Sequence, residues 1–137
     1  MTALLSSDPY AFHFVEEWAA AVISGNLDEI MPLYCEQAVL VATFSDSPMR
    51  GTDSLTAYFT ALLGDHPNLD VEILNGEINQ NLGEGRCLTG TYRFIWGTCI
   101  EDMATVDARY TFVVRDDGDK WLAHTHHSSV FPTRKRT

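Results

Sequence analysis

A chain of 137 residues with 45% hydrophobic and 20% charged residues has the make-up of one globular domain, able to bury roughly 70% of its extended surface, and is neither disordered nor fibrous. The formal net charge is −10, and Arg134, Lys135 and Arg136 supply three of the nine basic residues, so the body of the fold repels nucleic acid and anionic membranes. No apolar run approaches the roughly 18 residues of a spanning helix, and Met1–Ser7 lacks a basic stretch followed by an apolar one, so a cytoplasmic location is expected.

Ser6, Ser7 and Asp8 precede Pro9, a polar cap followed by a residue with φ already set for a first helical turn. Phe12, Val15, Ala19 and Val22 then repeat at helical spacing, with Trp18 and Ile23 beside them, until Gly25 stops the helix. Asn26 is placed to cap a second helix with Asp28 and Glu29 in its first turn; it runs to about Cys35 and is shortened or bent by Pro32. Ala38–Phe44 predicts a strand closed by the turn Ser45–Pro48. Thr52 or Asp53 caps a third helix, whose Leu55, Tyr58, Phe59, Leu62 and Leu63 share one face before Gly64 ends it.

From Leu69 the period changes to two. Leu69–Leu82 is expected as one long strand with a bulge at Asn75-Gly76, because Gly83-Glu84-Gly85 is the better turn. Arg86–Thr98 puts Leu88, Gly90, Tyr92, Phe94 and Trp96 on one face and Thr89, Thr91, Arg93 and Ile95 on the other. Val106–Arg115 alternates Ala108, Tyr110, Phe112 and Val114 with Arg109, Thr111 and Val113, and Lys120–Ser129 follows an acidic turn. Helices first and an antiparallel meander afterwards is the α+β class, with residues 1–137 as a single domain and a flexible basic tail at 133–137.

Several segments carry a resemblance to the NTF2-like superfamily. Ile73-Leu74-Asn75, the Gly51-x-Asp53 turn with Tyr58-Phe59, the Asp/Gly turn before Lys120-Trp121, and His127-x-Ser129 resemble the association (hub) domain of calcium/calmodulin-dependent kinase. Ala108–Val113, His126-His127-Ser128-Ser129 and Pro132 are similar to stand-alone SnoaL-like and SgcJ/EcaC-type proteins. The resemblance implies a cone: three N-terminal helices on a strongly curved antiparallel sheet, a cavity on the concave face and a second subunit on the other. Hub domains carry arginines in the cavity where this chain has Tyr92, Phe112 and Ser128, so their anion binding is not carried over. A lining of Trp18, Tyr58, Tyr92, Phe94, Trp96, Tyr110, Phe112, His124, His126 and Ser128 would favour an apolar or aromatic ligand.

Strand alternation places His124 and His126 on the pocket face, with Leu122 and Ser128, and His127 on the opposite face. His126 is a candidate general base and Tyr110 a candidate donor. His124 and His126 lack a third metal ligand at any recognised spacing, so neither a metal nor a cofactor is expected. Cys35, Cys87 and Cys99 are an odd, widely spaced set, read as reduced thiols buried in the structure. Asp46, Asp102 and Asp107 read as solvated residues near strand ends. Arg93, Arg109, Trp121 and His127 fall on the face assigned to a homo-oligomer, most simply a dimer. Three functions remain open: a pocket protein for an unidentified small molecule, an isomerase, dehydratase or cyclase, and an oligomerisation or scaffold module.

Overall fold

The computed structural model describes residues 13–132; the expected cap at Ser6–Pro9 and the basic tail lie outside them. Helix α1 (Phe14–Ser24) buries Phe14, Val15, Trp18, Ala19, Ala21 and Val22 and ends on Gly25, whose φ of 69° is left-handed. Ile23 points away from this stripe and is 46% exposed. In α2 (Leu27–Ile30) the Asn26 side chain accepts from the Asp28 backbone N–H. Pro32 has the expected effect, since the chain tightens into a 3₁₀ turn at Met31–Leu33. Strand β1 (Tyr34–Val41) therefore begins and ends earlier than expected.

After the two-residue β2 (Met49–Arg50), Gly51 rather than Thr52 or Asp53 occupies the N-cap of α3 (Thr52–Asp65), with no side-chain cap. Gly64 lies inside this helix. His66 follows it, its Nδ1–H donating to the Leu62 carbonyl at 2.7 Å, which satisfies a carbonyl that the helix end would leave open.

The expected long strand is two strands, β3 (Asp70–Ile73) and β4 (Ile78–Asn81), separated where the bulge was expected. Both pair antiparallel with β5 (Gly85–Trp96). Because Ile73 faces Tyr92 and Ile78 faces Thr89, residues 74–77 stand opposite Gly90 and Thr91 alone. Gly76 accommodates the excess chain at φ 102°. Strand β6 (Ala104–Asp116) follows, then β7 (Trp121–Val130). The seven strands form a curved, unclosed sheet in the order β2-β1-β7-β6-β5-β3, with β4 also on β5. All pairs are antiparallel except β1 with β7.

Helix α1 packs along β3, and α3 along β1 and β2, so the helices close one face of the sheet. Under them lie Leu88, Tyr92, Phe94, Ala108, Tyr110, Phe112 and Val114, each no more than 4% exposed, as the alternation of β5 and β6 requires. The thiols depart from expectation: Cys35 and Cys87 are half-buried and Cys99 is exposed. No helix among the described residues is long and apolar enough to cross a membrane.

Candidate functional site

A register shift in β7 decides which of its side chains reach the interior. Val113 pairs with Thr125 but Val114 pairs with Ala123, leaving His124 without a ladder partner. On the C-terminal side His126 and Ser128 point inward and are 2% and 4% exposed; on the N-terminal side the phase is reversed, so Ala123 is inward. Two expectations are corrected by this bulge. His124 is half-exposed and does not join the interior group, and Trp121 packs against the core rather than standing on the outer face.

His126 sits at the centre of a buried hydrogen-bond chain. Trp18 Nε1–H donates to the Tyr34 hydroxyl at 2.9 Å, which lies 2.8 Å from His126 Nδ1. His126 Nε2 lies 3.1 Å from the Tyr92 hydroxyl, Tyr92 donates to Ser128 Oγ at 2.6 Å, and Ser128 contacts Thr43 Oγ1. Indole N–H can only donate, and a neutral imidazole has one donor and one acceptor. The order that satisfies these groups is therefore Trp18 to Tyr34, to Nδ1, then Nε2–H to Tyr92, to Ser128, which shares its last bond with the Thr43 hydroxyl. Reversing it would leave the buried Tyr34 proton without an acceptor, at a cost of about 1–3 kcal/mol.

The imidazole is also enclosed by rings. Phe112 stacks on it at a centroid distance of 3.8 Å and Trp18 meets it edge-on at 5.2 Å. Burial, with a smaller contribution from His127, pushes the His126 pKa down to about 3, so the neutral form prevails near neutral pH. Burial raises the phenols of Tyr34 and Tyr92 well above their ordinary range and that of Tyr58 to about 12.

Among the described residues these side chains pack closely around an interior void of about 10 Å³, bounded by Trp18, Tyr58, Tyr92, Phe94, His126 and Ser128 together with Leu40, Ala42, Thr43, Phe59 and Leu62. That is room for about one water molecule. Tyr110 and Phe112 are packed into the core without reaching the void, and Trp96 lies toward the rim, 4.6 Å from the His66 ring and 5.7 Å from that of Phe44.

Tyr110 has a different partner from His126: its hydroxyl donates to Glu77 Oε1 at 2.6 Å. The bulge between β3 and β4 supplies Glu77, and Gly90 leaves the ring room, since a Cβ there would stand 2.5 Å from the Tyr110 oxygen. Burial raises the Glu77 pKa, the Tyr110 bond lowers it in part, and Glu16 adds to the rise. Sequence reasoning missed both Glu77 and Tyr34. Tyr34 shares parity with the inward Ala38, Leu40 and Ala42, a signal hidden by assigning it to the helix.

On the outer face Arg93 pairs across three strands, with Asp107 at 2.7 and 3.2 Å and Glu72 at 3.5 Å. Arg109 Nη2 donates to Ser129 Oγ at 3.2 Å, and His127 is exposed. Arg93 is therefore partnered within its own chain. Asp107, read as solvated, is held by Arg93, which lowers its carboxyl pKa. Among the described residues, no group of three or more His, Cys, Asp or Glu is placed to hold a metal ion.

Helices over one face of a curved, mostly antiparallel sheet define the NTF2-like, cystatin-like fold. The chain belongs to the SnoaL-like domain family, whose model matches residues 12–133. A Xanthomonas campestris protein described as a calcium/calmodulin dependent protein kinase II association domain is 28% identical, with a TM-score of 0.78 over 88% of this chain and 84% of that one. A Streptomyces avermitilis protein described as an NTF2-like dehydratase is 12% identical, with a TM-score of 0.83 over 93% and 98%. A Novosphingobium aromaticivorans protein described as a scytalone dehydratase is 11% identical, with a TM-score of 0.82 over 100% and 93%. The last two likenesses concern the fold alone. No curated protein matches the chain.

Proposed function

We propose that this chain is an association module in which two copies meet through the outer faces of β5, β6 and β7, while the interior serves as structural core. The observation that carries the reading is the close packing of the described side chains beneath the helices, around a void of about 10 Å³, with His126 hydrogen-bonded on both ring nitrogens by Tyr34 and Tyr92. The outer face suits self-association. Ile78, Thr89, Thr111, His127 and Val41 form one row across five strands, beside the Thr91, Arg109 and Ser129 row. β-branched side chains on a broad sheet pack well against a like surface, and arginine is favoured in such contacts. The 28% identity to a protein described as an association domain supports the same reading. Light scattering at micromolar concentration should give twice the 15.3 kDa chain mass, and Arg109→Glu should shift the population to monomer. A monomeric wild type would overturn the proposal.

A second reading is binding of a small apolar or aromatic ligand, favoured by the aromatic walls around the residual void. It requires the core to open. Native mass spectrometry that found a stoichiometric co-purified molecule would favour it. The acid–base reading lacks a matching geometry: both His126 nitrogens are engaged by tyrosines and Tyr110 is engaged by Glu77.

A further inference from the structure

The bulge between β3 and β4 is held at its two ends and open in its middle. The Leu74 N–H donates to the Thr91 carbonyl at 3.0 Å, and the Glu77 carboxyl accepts from Tyr110. Between them, among the described residues, the Asn75 side chain and the backbone N–H groups of Asn75 and Gly76 have no hydrogen-bond partner. Both residues are exposed, and a Cβ added to Gly76 would meet nothing within 4 Å. The chain has five asparagines, and the other four are each followed by leucine or glutamine. Asn26 and Asn81 accept from the backbone N–H groups of Asp28 and Gly83, Asn68 donates to the Gly97 carbonyl, and the Asn79 side-chain oxygen is buried.

We propose that Asn75-Gly76 is a site of spontaneous covalent modification, at which the Asn75 amide is converted to aspartate and isoaspartate with water as the co-reactant. The Gly76 nitrogen, having given up its proton to hydroxide, attacks the side-chain carbonyl carbon of Asn75. A C–N bond forms, the bond to the amide nitrogen breaks, and ammonia leaves a five-membered imide. Water then opens the ring at either carbonyl; one product is aspartate, and in the other the main chain runs through the side-chain carbon and is one atom longer. Glycine favours the first step because no β-carbon shields its nitrogen and its φ of 102° belongs to a backbone free to turn. An unbonded Asn75 amide has no contact to surrender before it reacts. The lengthened main chain lies in the segment that presents Glu77, so the modification also loosens the Tyr110–Glu77 bond.

The test incubates the full chain, native and in urea, in mildly alkaline buffer and follows every asparagine by peptide mass spectrometry as a gain of about 1 Da. Native Asn75 should convert at least about tenfold faster than any other asparagine, a barrier difference of ~1.4 kcal/mol. It should convert no more than about tenfold more slowly than in urea, since so little of the segment must open first. Asn75→Gln should abolish the conversion, because the longer side chain would have to close a larger ring. The isolated isoaspartyl form should melt below the unmodified chain, and that difference should shrink in Tyr110→Phe, where no bond to Glu77 remains to be lost. A rate at Asn75 below the stated margin, stronger protection in the native chain, conversion that survives Asn75→Gln, or an undiminished melting difference in Tyr110→Phe would each overturn the proposal. Light scattering on the unmodified chain reads the association proposal separately.

Discussion

His126 titrates near 3 in the folded chain, against 6.5 without burial. Between those values the unfolded chain binds more protons at this position, so stability rises with pH. The contribution is complete above about pH 6.5 and is lost as the pH falls toward 3, with a slope of up to ~1.4 kcal/mol per pH unit. Glu77 acts in the opposite sense, because its raised pKa favours the folded state when protonated. Its effect is common to wild type and a His126→Gln variant, so the difference between them isolates His126. Urea midpoints measured from about pH 4 to 6 should rise more steeply in wild type; parallel slopes would refute the buried, neutral imidazole. The inward parity of His126, Ser128, Tyr92 and Tyr110 was legible from simple alternation. The partners were not, since Tyr34 opens β1 and Thr43 lies in the turn that follows it, each more than eighty residues from its partner on β7.

Two bulges show how far local pattern reaches at the scale of elements. Asn75-Gly76 was recognisable because glycine marks a place where φ can turn positive and a better turn follows. The bulge at His124 has no such residue, so simple alternation assigns Leu122, His124 and Trp121 to the wrong face. Pro32 signals a disturbance locally, yet its result, an early start to β1, depends on pairing with β7. Gly90 is a further case: it resembles a gap in the aromatic stripe of β5, but the Tyr110 ring lies across it. Gly90→Ala puts a methyl 2.5 Å from Tyr110 Oη and 2.7 Å from Cζ, so the buried ring must move and its bond to Glu77 is strained. The expected cost is about 1–3 kcal/mol. Tyr110→Leu removes the obstructing ring tip, so the double variant should lose at least about 0.5 kcal/mol less than the sum of the single ones. Strict additivity in denaturant unfolding would show that the close approach is not what fixes a glycine here.

For the whole molecule, the α+β class with helices leading into an antiparallel meander, the sheet face that the helices cover and the family were legible in the sequence, whereas β2 and the division of residues 69–82 into two strands were not. Whether the cone is open was not. The same aromatic residues that line a pocket also plug one, and the outcome depends on the sum of all interior volumes, which no local pattern reports. Phe94 tests the outcome because it borders the void and packs against Trp18, Tyr92 and Phe44. Phe94→Ala should cost about 3–5 kcal/mol, since a rigid interior collapses only in part around a missing ring. The space left behind would be apolar and of ring size, so benzene should raise the melting temperature of the variant through binding to the folded state alone. Wild type, with room for about one water, should show no such rise. A shift of equal size in both proteins would mean that the cone already opens to ligands, and the filled core could no longer support an association role.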